Sequence, residues 1–170
     1  MAKPKILLDS DVIRHFLKGS RILDLPKIYP EQLALLDIVK SELCRSRQLQ
    51  IPVNNFLSMC KIEQISFPTH NMEIMREYAA LRKRFGDGES ACMALARFES
   101  HFIASSNLID ISAYCEQHGI VYLTTMDVLV EGLNKGIMTE GDCDAFIKRV
   151  KEKGSKLPVD SIREYMGKKS

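Results

Sequence analysis

The chain has 170 residues, of which 45% are hydrophobic and 27% are charged, and its formal net charge is +2. This is the length of one domain and the composition of a folded protein, which excludes a disordered chain. The nearly balanced charge excludes a large basic surface, so any contact with nucleic acid has to be local. We expect a single domain over residues 1–170.

The cysteines and the apolar segments indicate the cellular setting. The five cysteines are odd in number, and none forms a C-x-x-C pair or lies at zinc-ligand spacing from a histidine. Neither a disulfide framework nor a structural zinc site is expected. The first apolar run, Ile6–Leu8, is too short for a signal peptide, and no later run approaches the roughly 18 residues of a membrane span. We expect a cytoplasmic protein without a membrane partner.

Strands and helices are predicted to alternate along the chain. Short apolar runs mark the strand candidates, which are residues 6–8, 33–36, 62–67, 101–104 and 120–123. Helical periodicity follows each run. Strands of this buried type, alternating with helices, predict a three-layer α/β/α fold with a central, mostly parallel sheet of about four to five strands.

Capping residues indicate several helix ends. Gly119 is predicted to end the helix after the fourth strand, and Thr139 with Asp142 forms a variant capping box that begins a later helix. The C-terminal helices, at about 139–168, are expected to pack as part of the same domain. The segment 45–55 has the weakest pattern and is interpreted as an excursion between helices.

Oxygen-bearing side chains follow almost every predicted strand. In chain order they are Asp9 and Asp11, Asp37 and Glu42, Asp87 and Glu89, Asn107 and Asp110, then Thr124, Thr125 and Asp127. Because ligands bind outside the carboxyl ends of parallel strands, these side chains should share one edge of the sheet. Carboxylates gathered there repel one another unless a hard cation such as Mg²⁺ or Mn²⁺ neutralises them. The pattern favours metal-assisted hydrolysis of a phosphodiester.

Three segments resemble, in order, the motifs of the PIN domain family of ribonucleases, to which VapC-type toxins belong. The segment 7–13 resembles the opening strand of the family and places its first acid at Asp9. The segment 37–43 resembles the part that supplies the second acid, at Glu42. Residues 86–96 are similar to the glycine-x-glycine-glutamate helix start.

The third and fourth acids follow from the same resemblance. The helix start at 86–96 places the third acid at Glu89. The fourth is expected in the segment 104–107, where this sequence departs from the pattern, since Asn107 stands in place of an aspartate and Asp110 follows one turn later.

The resemblance implies a metal-dependent endoribonuclease that cleaves single-stranded RNA by metal-activated water. It implies that Asp9, Glu42, Glu89 and Asp110 are catalytic and bind Mg²⁺ or Mn²⁺, with Asn107 as a further ligand. Ser10, Asp11, Thr124, Thr125 and Asp127 are expected around these ligands. The resemblance also implies a homodimer and, for a toxin, an antitoxin protein that blocks the cleft.

Each candidate also has a structural interpretation. Asp9 and Asp11 are suited to capping a helix, Glu42 to a solvated helix face, and Asn107 with Asp110 is close to a capping box. If Asn107 only caps, the chain is a catalytically impaired PIN domain that binds nucleic acid or protein.

Two further interpretations stay open. Arg82, Lys83 and Arg84 precede the glycine turn, where they are suited either to the RNA backbone or to a solvated helix end. A receiver-like regulatory domain would also gather acids after its first strand. It requires a lysine after a late strand, and the segment 123–125 supplies none.

Overall fold

A computed structural model describes residues 3–169. Its sheet contains five parallel strands, which are β1 (Ile6–Leu8), β2 (Leu33–Leu36), β3 (Glu63–Ile65), β4 (Phe102–Ala104) and β5 (Tyr122–Leu123). The strand order is β3-β2-β1-β4-β5. Helices flank this sheet, so the predicted three-layer α/β/α fold is confirmed.

Helices connect the strands and extend beyond the last one. The described residues contain α1 (Ser10–Lys18), α2 (Leu25–Ile28), α3 (Asp37–Cys44), α4 (Arg47–Met59), α5 (Met72–Leu81), α6 (Asp87–Glu99), α7 (Leu108–His118), α8 (Thr125–Asn134), α9 (Glu140–Glu152) and α10 (Ile162–Lys169). A short 3-10 turn, Ile22–Asp24, precedes α2. Among these helices, none combines the length and the hydropathy needed to cross a bilayer.

The central strands are apolar because both faces of the sheet are covered. Every residue of β1 and β2 is buried, as expected for a parallel sheet between helical layers. On one side, α6 lies against β1, β2 and β4 and packs with α3, α5 and α7. Its run of small and apolar residues, 91–96, is fully enclosed. On the other side, α8, α9 and α10 pack with one another, and α9 also contacts α1.

Two predicted helix boundaries are confirmed in detail. The Thr139 Oγ1 atom accepts a hydrogen bond from the Asp142 backbone N–H at 3.1 Å, and Asp142 accepts one from the Thr139 N–H at 2.9 Å. Gly119 follows α7 with a φ of 65°, the left-handed conformation that glycine adopts at low cost.

The segment 45–55 is not an irregular excursion. Most of it belongs to α4, a helix of 13 residues whose sixth position is Pro52. Its buried residues, Val53, Phe56 and Leu57, lie at the i, i+3, i+4 spacing of one helix face. The polar residues and the proline obscured this short apolar stripe in the sequence.

Candidate active site

The candidate site lies at the carboxyl ends of β1 and β4. Within the sheet, β1 lies between β2 and β4. The chain continues from β1 to the strand on one side of it and later returns to pair with its other side. Ligands of open α/β sheets bind in the crevice beside such a reversal. The Asp9 N–H donates to the carbonyl of Ala104 at 2.9 Å, which holds the start of α1 beside the loop that follows β4.

Asp9 is a buried carboxyl group, with only 2% of its surface exposed. Its Oδ1 accepts a hydrogen bond from the Ser10 N–H at 2.8 Å, and its Oδ2 accepts one from the Ser105 hydroxyl at 3.1 Å. Burial, followed by the charges of Asp11 and Glu89, raises the pKa of Asp9 to about 8. The geometry fits a carboxyl group that ionises fully when a cation binds beside it.

Asp11 carries an oxygen atom that the protein leaves unsatisfied. Its Oδ2 accepts a hydrogen bond from the Ser106 N–H at 3.0 Å, so its carboxylate reaches across to the loop after β4. Its Oδ1 is buried and has no hydrogen-bond partner within residues 3–169. Burial raises the pKa of this group. An unpartnered buried carboxylate oxygen costs free energy that a cation would offset.

Glu42 reaches the same place from helix α3. A Cβ atom at Gly88 would lie 2.7 Å from Glu42 Oε2 and 3.5 Å from Asp9 Oδ1. The two carboxylate oxygens therefore border a single point, and the absence of a side chain at Gly88 provides the space. The small residue of the glycine-x-glycine turn thus allows α6 to approach the acids of α1 and α3.

Glu89, Asn107 and Asp110 form the opposite side of the cluster. The Asn107 amide donates from Nδ2 to Glu89 Oε1 at 2.8 Å and to Asp110 Oδ2 at 2.6 Å. Burial raises the pKa of Glu89, and the hydrogen bond from Asn107 partly opposes this shift. Within the described chain, Asn107 forms no side-chain capping bond to α7. Its amide instead lies between the two carboxylates and donates a hydrogen bond to each.

Two residues that the sequence analysis did not include also belong to this region. Arg14 lies three residues after Asp11 on α1, and its charge lowers the pKa of that carboxyl group. The i, i+3 spacing on a helix was the available signal. Ser105, which binds Asp9, carried no such signal, because its partner is 96 positions away in the chain.

Thr125 supports the loop after β4 rather than the carboxylates themselves. Its Oγ1 lies 2.5 Å from the Ser106 hydroxyl and 2.7 Å from His15 Nδ1, and its N–H donates to Ser106 Oγ at 3.1 Å. Through Ser106, these contacts fix the backbone N–H that binds Asp11.

Within residues 3–169, the side chains of Thr124 and Asp127 do not bond to the carboxylate cluster, since they form the capping box of α8. Asp127 accepts hydrogen bonds from the Tyr165 hydroxyl at 2.6 Å and from Lys169. Burial opposes ionisation of Asp127, but its bonds to Lys169, Tyr165 and Thr124 bring its pKa below the ordinary value. Asp127 therefore anchors α10.

The three basic residues before the glycine turn differ from one another. The Arg82 Nε donates to Asp87 Oδ1 at 2.8 Å, so the charge of Arg82 is already paired. The guanidinium of Arg84 lies 5.2 Å from the centre of the Phe85 ring. Lys83 is exposed. Of the three, Lys83 and Arg84 are better suited to contact a phosphate backbone.

The donors in this cluster suit a hard divalent cation in their chemistry. Within residues 3–169, no group of three or more His, Cys, Asp or Glu side chains is arranged as a ready metal site. Carboxylate and amide oxygens are nevertheless the ligands that Mg²⁺ and Mn²⁺ prefer. The unpartnered Asp11 Oδ1 and the space beside Gly88 are the two features that fit such an ion.

In comparisons with known proteins, no family model and no curated protein matches this chain.

Proposed function

We propose that this chain is a metal-dependent endoribonuclease of the PIN type that hydrolyses single-stranded RNA. One observation carries the proposal: carboxylates from separate segments face one another at the carboxyl ends of the central strands, where burial and mutual repulsion raise the pKa of Asp9 to about 8. Such a cluster is unfavourable without a cation and suited to binding one.

Asp9, Glu42 and Glu89 would hold Mg²⁺ or Mn²⁺, with Asn107 and Asp110 at the far side of the cluster. The ion, when bound, supplies a Lewis acid and a means to ionise water near neutral pH. Hydrolysis adds one water across one P–O bond of the RNA, so one oxygen bonds to phosphorus while a ribose oxygen leaves with a proton.

The side chains of the cluster divide the remaining work. The Ser10 N–H and the Ser105 hydroxyl hold the two oxygens of Asp9 in place. The Asn107 amide orients Glu89. With a cation bound, Glu89 would be ionised and would serve as one of its ligands.

A second candidate function is a PIN-like module that binds nucleic acid or protein without cleaving it. The observation that favours it is the Asn107 amide, whose Nδ2 donates to both Glu89 and Asp110. This neutral donor partly satisfies the two carboxylates without a cation, and an amide oxygen brings no charge to a metal ion.

The partners and the cellular setting remain parts of the proposal. The resemblance to VapC-like members of the family suggests single-stranded RNA as substrate, an antitoxin protein that covers the cleft, and a homodimer. The cytoplasmic location is expected instead from the cysteines and the short apolar runs.

The test is Mn²⁺-dependent cleavage of a mixed-sequence RNA. Wild type should cleave it, whereas Asp9→Asn and Glu89→Gln should each lose at least roughly 100-fold in rate, the usual scale for a displaced metal ligand or a lost acid–base group. Asp160→Asn is the matched control, because Asp160 is an exposed carboxylate paired with Lys151. Folded wild-type protein that is inactive with Mg²⁺, Mn²⁺ and Co²⁺ would refute the nuclease proposal and leave the binding module.

A further inference from the structure

An apolar groove adjoins the carboxylate cluster, and the cluster chemistry does not use it. The groove lies between the end of α5 and the outer face of α7 and has a volume of about 490 Å³. Its lining includes Arg84, Phe85, Ile109, Asp110, Tyr114 and Gln117.

The groove is continuous with the candidate site. Asp110 lines the groove and also accepts the hydrogen bond from Asn107. Phe85 directly precedes the glycine turn that leads to Glu89. A polymer held at the carboxylates would therefore pass Asp110 into the groove.

The lining groups suit a flat aromatic ligand. The exposed Arg84 guanidinium lies over the Phe85 ring, so the ring supports a planar cation on which a base can stack. Tyr114 adds a ring that is held in place by its hydroxyl bond to Glu77 and by packing against His118. Gln117 adds an amide that can bind a base edge. Aromatic rings and guanidinium planes are the groups on which proteins stack the bases of single-stranded RNA.

Ile109 is the most exposed large apolar side chain among the residues that the structure describes, at 93%. Singly exposed apolar side chains are common on protein surfaces, so its exposure alone indicates nothing. Its place in the lining of the groove makes it available to a ligand bound there.

We infer that this groove binds a nucleobase of single-stranded RNA, adjacent to the phosphate held at the carboxylate cluster. The inference rests on the proposed RNA substrate. Charge favours this ligand, because Arg84 is at the rim and the neighbouring Lys83 is exposed, so both can meet the phosphates that flank the base.

The experiment measures binding of a fluorescein-labelled, mixed-sequence ten-nucleotide RNA, with Ca²⁺ in place of Mn²⁺ to limit cleavage. Ile109→Ser and Arg84→Gln should each weaken binding by roughly five- to tenfold, the lower part of the range for loss of one stacked base. Ile51→Ser is the matched control, because Ile51 is also an exposed isoleucine, 71% accessible, on the distant segment α4. It should bind RNA as wild type does.

A second readout replaces the bases one at a time by abasic sites. For wild type, removal of the base at one position of the RNA should lower the affinity by a similar five- to tenfold. Removal of the same base should not lower the affinity of Ile109→Ser any further. This coupling identifies the groove as the site of that base, because a general loss of folding would not cancel the effect of one nucleotide.

The outcomes separate this inference from the nuclease proposal. Base coupling without any cleavage supports the groove and refutes the nuclease. Cleavage that depends on Asp9, with Ile109→Ser and Arg84→Gln binding as wild type does, overturns the groove and leaves the nuclease. A concentration-dependent dimer in sedimentation that Ile109→Ser abolishes, without base coupling, assigns the groove to a second copy of the chain and overturns the inference.

Discussion

Replacing Asp9 by asparagine should stabilise the metal-free protein while it removes RNA cleavage. In wild type, burial and the charges of Asp11 and Glu89 raise the pKa of Asp9 from its ordinary 3.8 to about 8. Folding at pH 7 therefore requires this carboxyl group to take up a proton. At 1.36 kcal/mol for each unit between the ordinary pKa and pH 7, that uptake costs about 4 kcal/mol of folding free energy.

The direction of the pH dependence follows from the raised pKa. The penalty is absent below about pH 4, where Asp9 is protonated in both the folded and the unfolded chain. It grows as the pH rises from 4 towards 8, so this group should lower the stability of metal-free wild type over that range.

An asparagine at position 9 fits the same contacts without a charge. Its oxygen can accept from the Ser10 N–H, and its amide can donate to the Ser105 hydroxyl, which only has to rotate. We expect Asp9→Asn to gain about 2–4 kcal/mol at pH 7.5 in EDTA. For a chain of this length, that raises Tm by roughly 5–15 °C.

The assay is urea and thermal unfolding, followed by circular dichroism in EDTA at pH 5 and pH 8. Because His15 titrates over the same range with the opposite sign and is present in both proteins, the test is their difference: relative to Asp9→Asn, wild type should lose stability between pH 5 and pH 8. Asp160→Asn, which removes an exposed carboxylate, should keep the wild-type slope. If Asp9→Asn is less stable than wild type at pH 8 as well as at pH 5, Asp9 acts as an ionised helix cap and the electrostatic reasoning is wrong.

Three further changes test the surroundings of the cluster. Burial and the charge of Lys18 lower the pKa of His15 to about 4, so the contribution of His15 to stability is lost as the pH falls below about 6.5, opposite in sign to that of Asp9. His15→Gln should remove about 2 kcal/mol of this loss at pH 4.5, measured by urea unfolding against wild type at the same pH. Asn107→Asp adds a third carboxylate beside Glu89 and Asp110, so it should lower the free energy of unfolding by about 1–3 kcal/mol in EDTA, and Mn²⁺ should restore Tm. If Mn²⁺ leaves the lowered Tm unchanged, position 107 does not face the ion. Gly88→Ala would place a Cβ 2.7 Å from the Glu42 carboxylate, so calorimetry should show weaker Mn²⁺ binding. Tm should change little, because the gain of about 1 kcal/mol of alanine over glycine in a helix is opposed by the 3.3 Å approach of the new Cβ to Val39 Cγ2. Unchanged Mn²⁺ affinity would contradict this account of Gly88.

Much of the fold could be predicted because its signals are local. The apolar run before Asp9 and the helical periodicity after it are features of a few neighbouring residues, and they appear in the structure as β1 and α1. The capping box of Thr139 with Asp142 is similarly contained within four residues. α4 was missed because Pro52 and the polar residues around it hide a buried face of only three side chains.

The order of residues specifies which acids follow which strands, and it therefore predicts a cluster of carboxylates at one edge of a parallel sheet. The contacts that those side chains make depend on the packing of the folded chain. Strand order sets Asp9 beside Ser105, 96 positions away, and the approach of Glu89 and Asp110 directs the Asn107 amide to both of them. Asp127 turns instead to α10. A short motif specifies backbone conformation, but hydrogen-bond partners depend on which distant segments the packed core brings within about 3 Å.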